Sequence, residues 1–239
     1  GKDRNFWDVG NGPCGPCSEI YYDRGNKFDP SNLGITLLKD DIENDRYVEI
    51  WNIECSQFNN YGKNNYTELA QKNIDTGCGL ERMACVMQEV PTNYDTDFFK
   101  GIIEKTQKYS HTFKYDSEAY FSSDQKQKWI NRNYIVIVDH LKASTFAIAD
   151  GGTPSGKDRG AVLRKLIRRA IVCAWFLKLK NGWLDAVIDG IVEANKEYYP
   201  YLVERKDNIK RIIAHENNLF QRSFYHGIKL FKKATAKKK

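Results

Sequence analysis

The segment Ile74-Asp75-Thr76-Gly77-Cys78-Gly79-Leu80-Glu81-Arg82-Met83 brings an acid, two glycines and a guanidinium together within ten residues. Asp75 lies in a stretch that reads as the end of a strand. Gly77 and Gly79 make a turn, and Leu80, Met83, Ala84 and Met87 begin an apolar run of helical period that puts Arg82 in the first turn. Glycine lets a ligand approach the backbone closely, and a helix start with a guanidinium beside it can cradle phosphate. The same spacing also fits a plain turn followed by a solvated arginine, so geometry alone leaves both readings open.

A second group of chemically capable residues lies further on. Arg164, Lys165, Arg168 and Arg169 fall at i, i+1, i+4 and i+5 of a helix whose other side carries Leu163, Leu166, Ile167, Ala170, Ala174 and Leu177. The charge of the chain is uneven. Residues 1–155 hold 17 Lys+Arg against 23 Asp+Glu, and residues 156–239 hold 20 against 8, within a net charge of +6. A basic half suits a polyanion, and such binding weakens as salt rises. A solvated basic helix surface is the alternative, and the tail Lys237-Lys238-Lys239 supplies part of the excess. Cys14-Gly15-Pro16-Cys17 has a spacing used by zinc sites and by redox pairs. No second Cys or His pair of matching spacing is present to complete a zinc site, and no thioredoxin-like βαβ pattern surrounds it.

Around these groups the pattern divides. Asn11-Gly12-Pro13 and Cys14-Gly15-Pro16 carry turn chemistry, Ile20-Tyr21-Tyr22 reads as a strand, and residues 26–46 read as an irregular insertion. Tyr47 to Phe58 is a β-prone run expected to be a central strand, and 59–71 a hairpin or loop. Helices are expected to about Gln88, and again from Asp95 to Tyr109. Tyr134-Ile-Val-Ile-Val138 reads as a strand by composition, and Asn181-Gly182 as the end of the basic helix. A hydrophobic content of 41% supports a core, and no run of 18 apolar residues or apolar leader is present, so a soluble, cytoplasmic protein is expected.

The order of the residues adds to this. Gly77-x-Gly79-x-x-Arg82 at a strand-to-helix junction resembles motif 3 of the class II aminoacyl-tRNA synthetases, and the wording Ile-Asp-Thr-Gly-x-Gly-Leu-Glu-Arg resembles the alanyl-tRNA synthetase family in particular. Other blocks agree in that family's order. They are Asn5-Phe6-Trp7, the run from Gly12 to Ile20, Glu49-Ile50-Trp51-Asn52 with Gln57-Phe58-Asn59, and Asn93 to Phe98. Asp139-His140, Phe146 to Gly152 and Arg159 to Ala170 complete them.

The resemblance implies alanine–tRNA ligation. Alanine is activated by ATP with Mg2+ and then transferred to the 3′ end of its tRNA. In that reading Arg82 meets the γ-phosphate end of ATP and Gly79 admits the nucleotide. Asp75 pairs with the ammonium of alanine, Gly77 keeps the methyl pocket small, and Trp7 and Asn52 complete the amino acid site. Glu49 helps hold magnesium, although a regular strand points residues 49 and 52 to opposite faces unless a bulge intervenes. Arg159, Arg164, Arg168 and Arg169 meet acceptor-stem phosphates. Asp158 stands where the family carries a wobble-pair-reading asparagine, and it either alters that readout or caps the helix. Glu54 and Cys55 depart from the family's apolar choices. The family places Cys14 and Cys17 in the aminoacylation domain, so no zinc site is expected there, and it makes Tyr134–Val138 helical.

The expected fold class is α+β: a partial class II antiparallel β-sheet with helices over 1–110, a boundary over 111–133, and a helical tRNA-recognition domain over 134–239. Motifs 1 and 2 and the editing-domain metal motifs do not appear, so either an internal portion of a larger synthetase, with the N-terminal synthetase portion as a partner, or a heavily reduced relative is expected. A non-catalytic tRNA acceptor-stem binder is the alternative function.

Overall fold

The computed structural model describes residues 4–63 and 65–236, so Lys237–Lys239 lie outside the described residues. The chain forms two compact units, Gly1–Asn93 and Tyr94–Lys239. The expected boundary at 111–133 therefore falls inside the second unit.

The first unit is built on an antiparallel sheet of strands β1 (Phe6–Asp8), β2 (Gly12–Asp23), β3 (Tyr47–Asn60) and β4 (Tyr66–Cys78), in that spatial order. The expected central strand is β3, paired on both sides. The glycine–proline segment expected to turn is instead the start of β2. Gly15 explains how this is possible: a Cβ there would lie 1.9 Å from the Cys55 carbonyl oxygen, so only glycine lets β2 and β3 approach this closely. The register shifts between Cys14 and Cys17 at this point. The stretch 59–71, expected as a hairpin or loop, is a hairpin: β3 ends at Asn60, β4 begins at Tyr66, and Asn60 pairs with Tyr66. The 26–46 insertion holds the short helix α1 (Thr36–Lys39) and an ionic knot in which Arg46 bonds Asp23 and reaches buried Asp29. Helix α2 (Leu80–Met87) follows β4 directly.

The second unit consists of α3 (Asp97–Gln107), α4 (Gln125–Ala149), α5 (Asp158–Phe176), α6 (Trp183–Asn195) and α7 (Tyr201–Ala236). The Tyr134–Val138 run, strand-like by composition, lies inside α4. Tyr134, Ile137, Val138 and Leu141 are all fully buried at i, i+3, i+4 and i+7, so the helical period outweighs β-branched propensity. The Asp124 carboxylate caps α4 by accepting from the Lys126 and Gln127 N–H groups. The core continues through Ile167, Leu177, Ile188, Ile191, Leu202, Ile209 and Ile213, each burial contributing roughly 1.5–3 kcal/mol. Helix α3 adds Phe99, Ile102 and Ile103 to this cluster, which is why the division between units comes before it. Of the apolar stripe read on α5, Leu166 is only half-buried. The helix ends at Phe176, before Asn181-Gly182, and Gly182 (φ +91°) instead opens α6.

Candidate functional site

Cross-strand partners share a face of a sheet, and alternate residues along a strand return to it. Trp7 pairs with Gly15 on β2, and Cys17, Glu19 and Tyr21 follow on the same face. Glu19 pairs with Asn52, which pairs with Gly77; Cys17 pairs with Glu54, which pairs with Asp75. Tyr21 pairs with Glu49. The obstacle to having Glu49 and Asn52 on one face disappears because Ile50 is an extra residue in β3: the β2 register jumps from Ile20↔Trp51 to Tyr21↔Glu49. The Ile50 carbonyl accepts the Gly79 N–H at 3.3 Å, so the bulge and the turn from β4 into α2 are tied together.

The register thus brings Trp7, Glu49, Asn52, Asp75 and Gly77 onto one face, and Arg82 reaches the same place from the first turn of α2. Its Nη1 donates to the Glu49 carbonyl oxygen at 3.1 Å and pairs with Glu49 Oε2 at 3.2 Å. Glu49, expected beside magnesium, holds the arginine here. Gly79 has extended backbone (φ −75°), and a Cβ on it would press the Arg82 stem at 3.2 Å. At Gly77 a Cβ meets nothing within 4 Å, so the face is open there. The Trp7 indole is fixed by donating from Nε1 to the Cys55 carbonyl at 3.1 Å. The Asp75 carboxylate accepts from the Thr76 N–H and is exposed. Asn52 Oδ1 is buried without a hydrogen-bond partner among the described residues. Such an acceptor costs free energy unless a donor arrives.

Sequence reading gave no role to Glu19, the acid beside Asn52. Glu19 accepts a hydrogen bond from the Tyr21 hydroxyl at 2.5 Å, and that bond, followed by burial, pushes the Tyr21 phenol up to about 12. Burial, then the charges of Glu19 and Glu54, raises the Cys17 thiol above its ordinary value. Only its place in a Ser-Glu-Ile block could have drawn attention to Glu19. Neither Cys14 nor Cys17 is in a disulfide, and Cys14 is fully buried. Among the described residues no group of three or more His, Cys, Asp or Glu is arranged to hold a metal ion.

The basic candidates lie in the second unit. Arg159 and Arg169 are exposed on α5. Arg164 and Arg168, one turn apart, are both paired through Nε with Glu216 of α7, at 3.5 Å and 2.7 Å. Glu216 is only 3% exposed and was missed, because a lone glutamate in a long polar-looking helix reads as surface. Asp158 is the first residue of α5, exposed and at φ +50°, while Lys157 holds the cap position without a side-chain cap bond. The capping alternative for Asp158 is therefore not what the helix uses, though an acid in the first turn suits the helix dipole. No helix among the described residues is long and apolar enough to cross a membrane.

The family described as tRNA synthetases class II (A) matches residues 1–239. Similar curated proteins include the Alanine--tRNA ligase of Ureaplasma parvum serovar 3 (strain ATCC 27815 / 27 / NCTC 11736), 54% identical over 96% of this chain and 26% of its own length. That of Malacoplasma penetrans (strain HF-2) is 52% identical over 99% of this chain and 26% of its own length. That of Mycoplasma genitalium (strain ATCC 33530 / DSM 19775 / NCTC 10195 / G37) is 48% identical over 98% and 26%. The chain thus spans about a quarter of the length of the curated relatives it matches.

Proposed function

The chain belongs to the class II tRNA synthetase (A) family, and from that premise we propose that it contributes to an alanine–tRNA ligase, with its sheet face serving amino acid activation and its basic helical surface serving tRNA. The observation that carries this reading is the convergence of Trp7, Glu49, Asn52, Asp75, Gly77 and Arg82 on one sheet face. These residue types bind and polarise; none is a nucleophile activated by a base, which fits a reaction driven by positioning and charge stabilisation.

In this reading the alanine ammonium donates to Asp75 and to the buried, unpartnered Asn52 Oδ1. The open space over Gly77 takes the methyl group, and the Trp7 indole walls the pocket. Arg82 neutralises the leaving pyrophosphate end of ATP, with Glu49 keeping its guanidinium turned toward β3. Mg2+ neutralises phosphate charge when bound. It is usually held by one or two carboxylates together with phosphates and water, and the Glu49 carboxylate, paired with Arg82, would be the group to help hold it here. Arg159, Arg164, Arg168 and Arg169 meet acceptor-stem phosphates, and Asp158 faces the base pair that the family reads.

The test is alanine-dependent exchange of labelled pyrophosphate into ATP by the full-length protein. Removing a charge-stabilising donor costs about 10²–10³ in rate, so Arg82→Ala should lower exchange by that factor while acceptor-stem RNA binding stays within about twofold. Exchange by Arg82→Ala at the parent rate would overturn the assignment.

A further inference from the structure

Helices α5 and α7 enclose a groove of about 490 Å³ lined by Arg164, Lys165, Arg168, Arg169, Cys173 and Phe220, among others. Two arginines one turn apart on a helix repel each other. Here a buried carboxylate, Glu216, accepts a hydrogen bond from Arg168 Nε at 2.7 Å and stands at ion-pair distance, 3.5 Å, from Arg164 Nε, whose buried N–H has no hydrogen-bond partner among the described residues. An unpaired charge at so buried a position would be costly, so each arginine is held by the other helix as much as by its own. Using Nε for Glu216 leaves the Nη groups of both guanidiniums for a ligand, and both side chains remain about one-third exposed, at 32% and 37%. Lys165 and Arg169 add two further cations, so four positive groups line the groove, two of them paired with Glu216.

The groove also has a flat apolar element. The Arg168 guanidinium lies 5.1 Å above the Phe220 ring, and Phe220 packs in turn on Phe224 at 5.4 Å. A guanidinium backed by an aromatic ring is a stacking surface for a base. The Cys173 thiol, pushed up by burial, is a neutral part of the lining. Cations that match phosphate, a plane that matches a base, and a volume within the range of small-ligand sites together fit a nucleotide better than an acidic peptide, which has no base to stack.

We infer that the α5–α7 groove is a subsite for one nucleotide of RNA, in which Glu216 is the positioning residue for Arg164 and Arg168, and the Arg168–Phe220 pair stacks the base. This deepens the tRNA-binding reading above and rests on it. The inference has a sign that simple electrostatics does not share. Glu216→Gln makes the groove more positive by one charge, so a bare polyanion surface would bind RNA more tightly. A groove that needs the carboxylate to aim its arginines binds less tightly.

The experiment titrates the full-length protein with a fluorescently labelled acceptor-stem RNA hairpin carrying a single-stranded 3′ tail, over a range of salt. Circular dichroism of each variant confirms folding. Glu216→Gln should weaken binding about tenfold, and Phe220→Leu should do the same with an unchanged salt slope, because stacking and not charge is removed. Phe220→Leu keeps the charge triad intact, so it tests the groove even if the Glu216 variant does not fold. Adenosine monophosphate should compete with the hairpin in the parent, and inorganic phosphate at equal concentration should compete far less. Tighter binding by Glu216→Gln, unchanged binding by Phe220→Leu, or equal competition by phosphate would overturn the inference while hairpin binding by the parent leaves the tRNA reading standing. No hairpin binding by the parent would overturn both.

Discussion

The sheet unit and the helical unit solve opposite problems with the same chain. Residues 1–93 carry nine Lys+Arg against fifteen Asp+Glu, and residues 94–239 carry 28 against 16. In the helical unit a continuous apolar cluster from Phe99 to Ile213 holds the helices, and the candidate RNA-binding arginines are added to the outside of that core. In the sheet unit the buried apolar side chains among the described residues are Cys14, Leu37, Cys85 and Val86, and the polar face of the sheet is itself the candidate site. The lesson concerns what fixes a side chain in each unit. In the helical unit apolar packing sets the arginines, through a buried Glu216. In the sheet unit strand register and one bulge set Glu49, Asn52 and Arg82, with little packing behind them.

The largest effect expected from this contrast is on stability. Ile167 is fully buried in the helical core, so Ile167→Ala should cost about 2–5 kcal/mol. Ile53, half-buried on β3, should cost less than about 1 kcal/mol when shortened in the same way, in proportion to the apolar area it covers. Urea unfolding followed by far-ultraviolet circular dichroism measures both. Equal losses would mean that the sheet is held by packing after all, and the contrast would fail.

Next in size is a pair of glycine variants that separates scaffold from site inside the sheet unit. Gly15→Ala drives a methyl group into the Cys55 carbonyl, an overpacking worth about 1–3 kcal/mol. It should also displace the Trp7 indole from that carbonyl, which the indole N–H resonance would report. Gly77→Ala puts its methyl group into open space. It should leave the unfolding midpoint close to the parent yet lower alanine-dependent pyrophosphate exchange by filling the proposed methyl pocket. A Gly77→Ala protein that is destabilised, with normal exchange per folded molecule, would reverse the assignment of the two glycines.

These positions also show where the sequence was legible. The segment from Ile74 to Met83 could be read locally, because strand end, turn and helix start each have their own residue signature. The placement of Glu49 beside Asn52 could not. It depends on Ile50 having no partner in β2, which is a property of two strands together and leaves no mark in either one. Gly12 to Pro16 was misread as turns because Gly-Pro chemistry favours them locally. Pairing with β1 and β3, and the lack of a Cβ at Gly15, outweigh that preference. Tyr134 to Val138 is a case in the other direction: β-branched composition alone suggests a strand, the family resemblance implies a helix, and the burial at i, i+3, i+4 and i+7 in α4 agrees with the resemblance. Glu216 is the clearest gap. Its meaning comes entirely from Arg164 and Arg168, about fifty residues earlier.

The smallest predicted effect tests the register most directly. Tyr21 is held up at about 12 chiefly by donating to Glu19, which lies two residues away on the same face. A raised phenol pKa means that the bond stabilises the fold below the ordinary tyrosine value near 10 and that this contribution is lost as pH rises through about 12. Absorbance titration of the parent against Tyr21→Phe isolates the one transition. Glu19→Gln should move it back toward 10, since a neutral amide neither repels the phenolate nor favours the phenol as a carboxylate does. If the transition in the Gln variant stays near 12, burial would be its cause, and Glu19 would not be turned toward Tyr21 on the face that also carries Asn52.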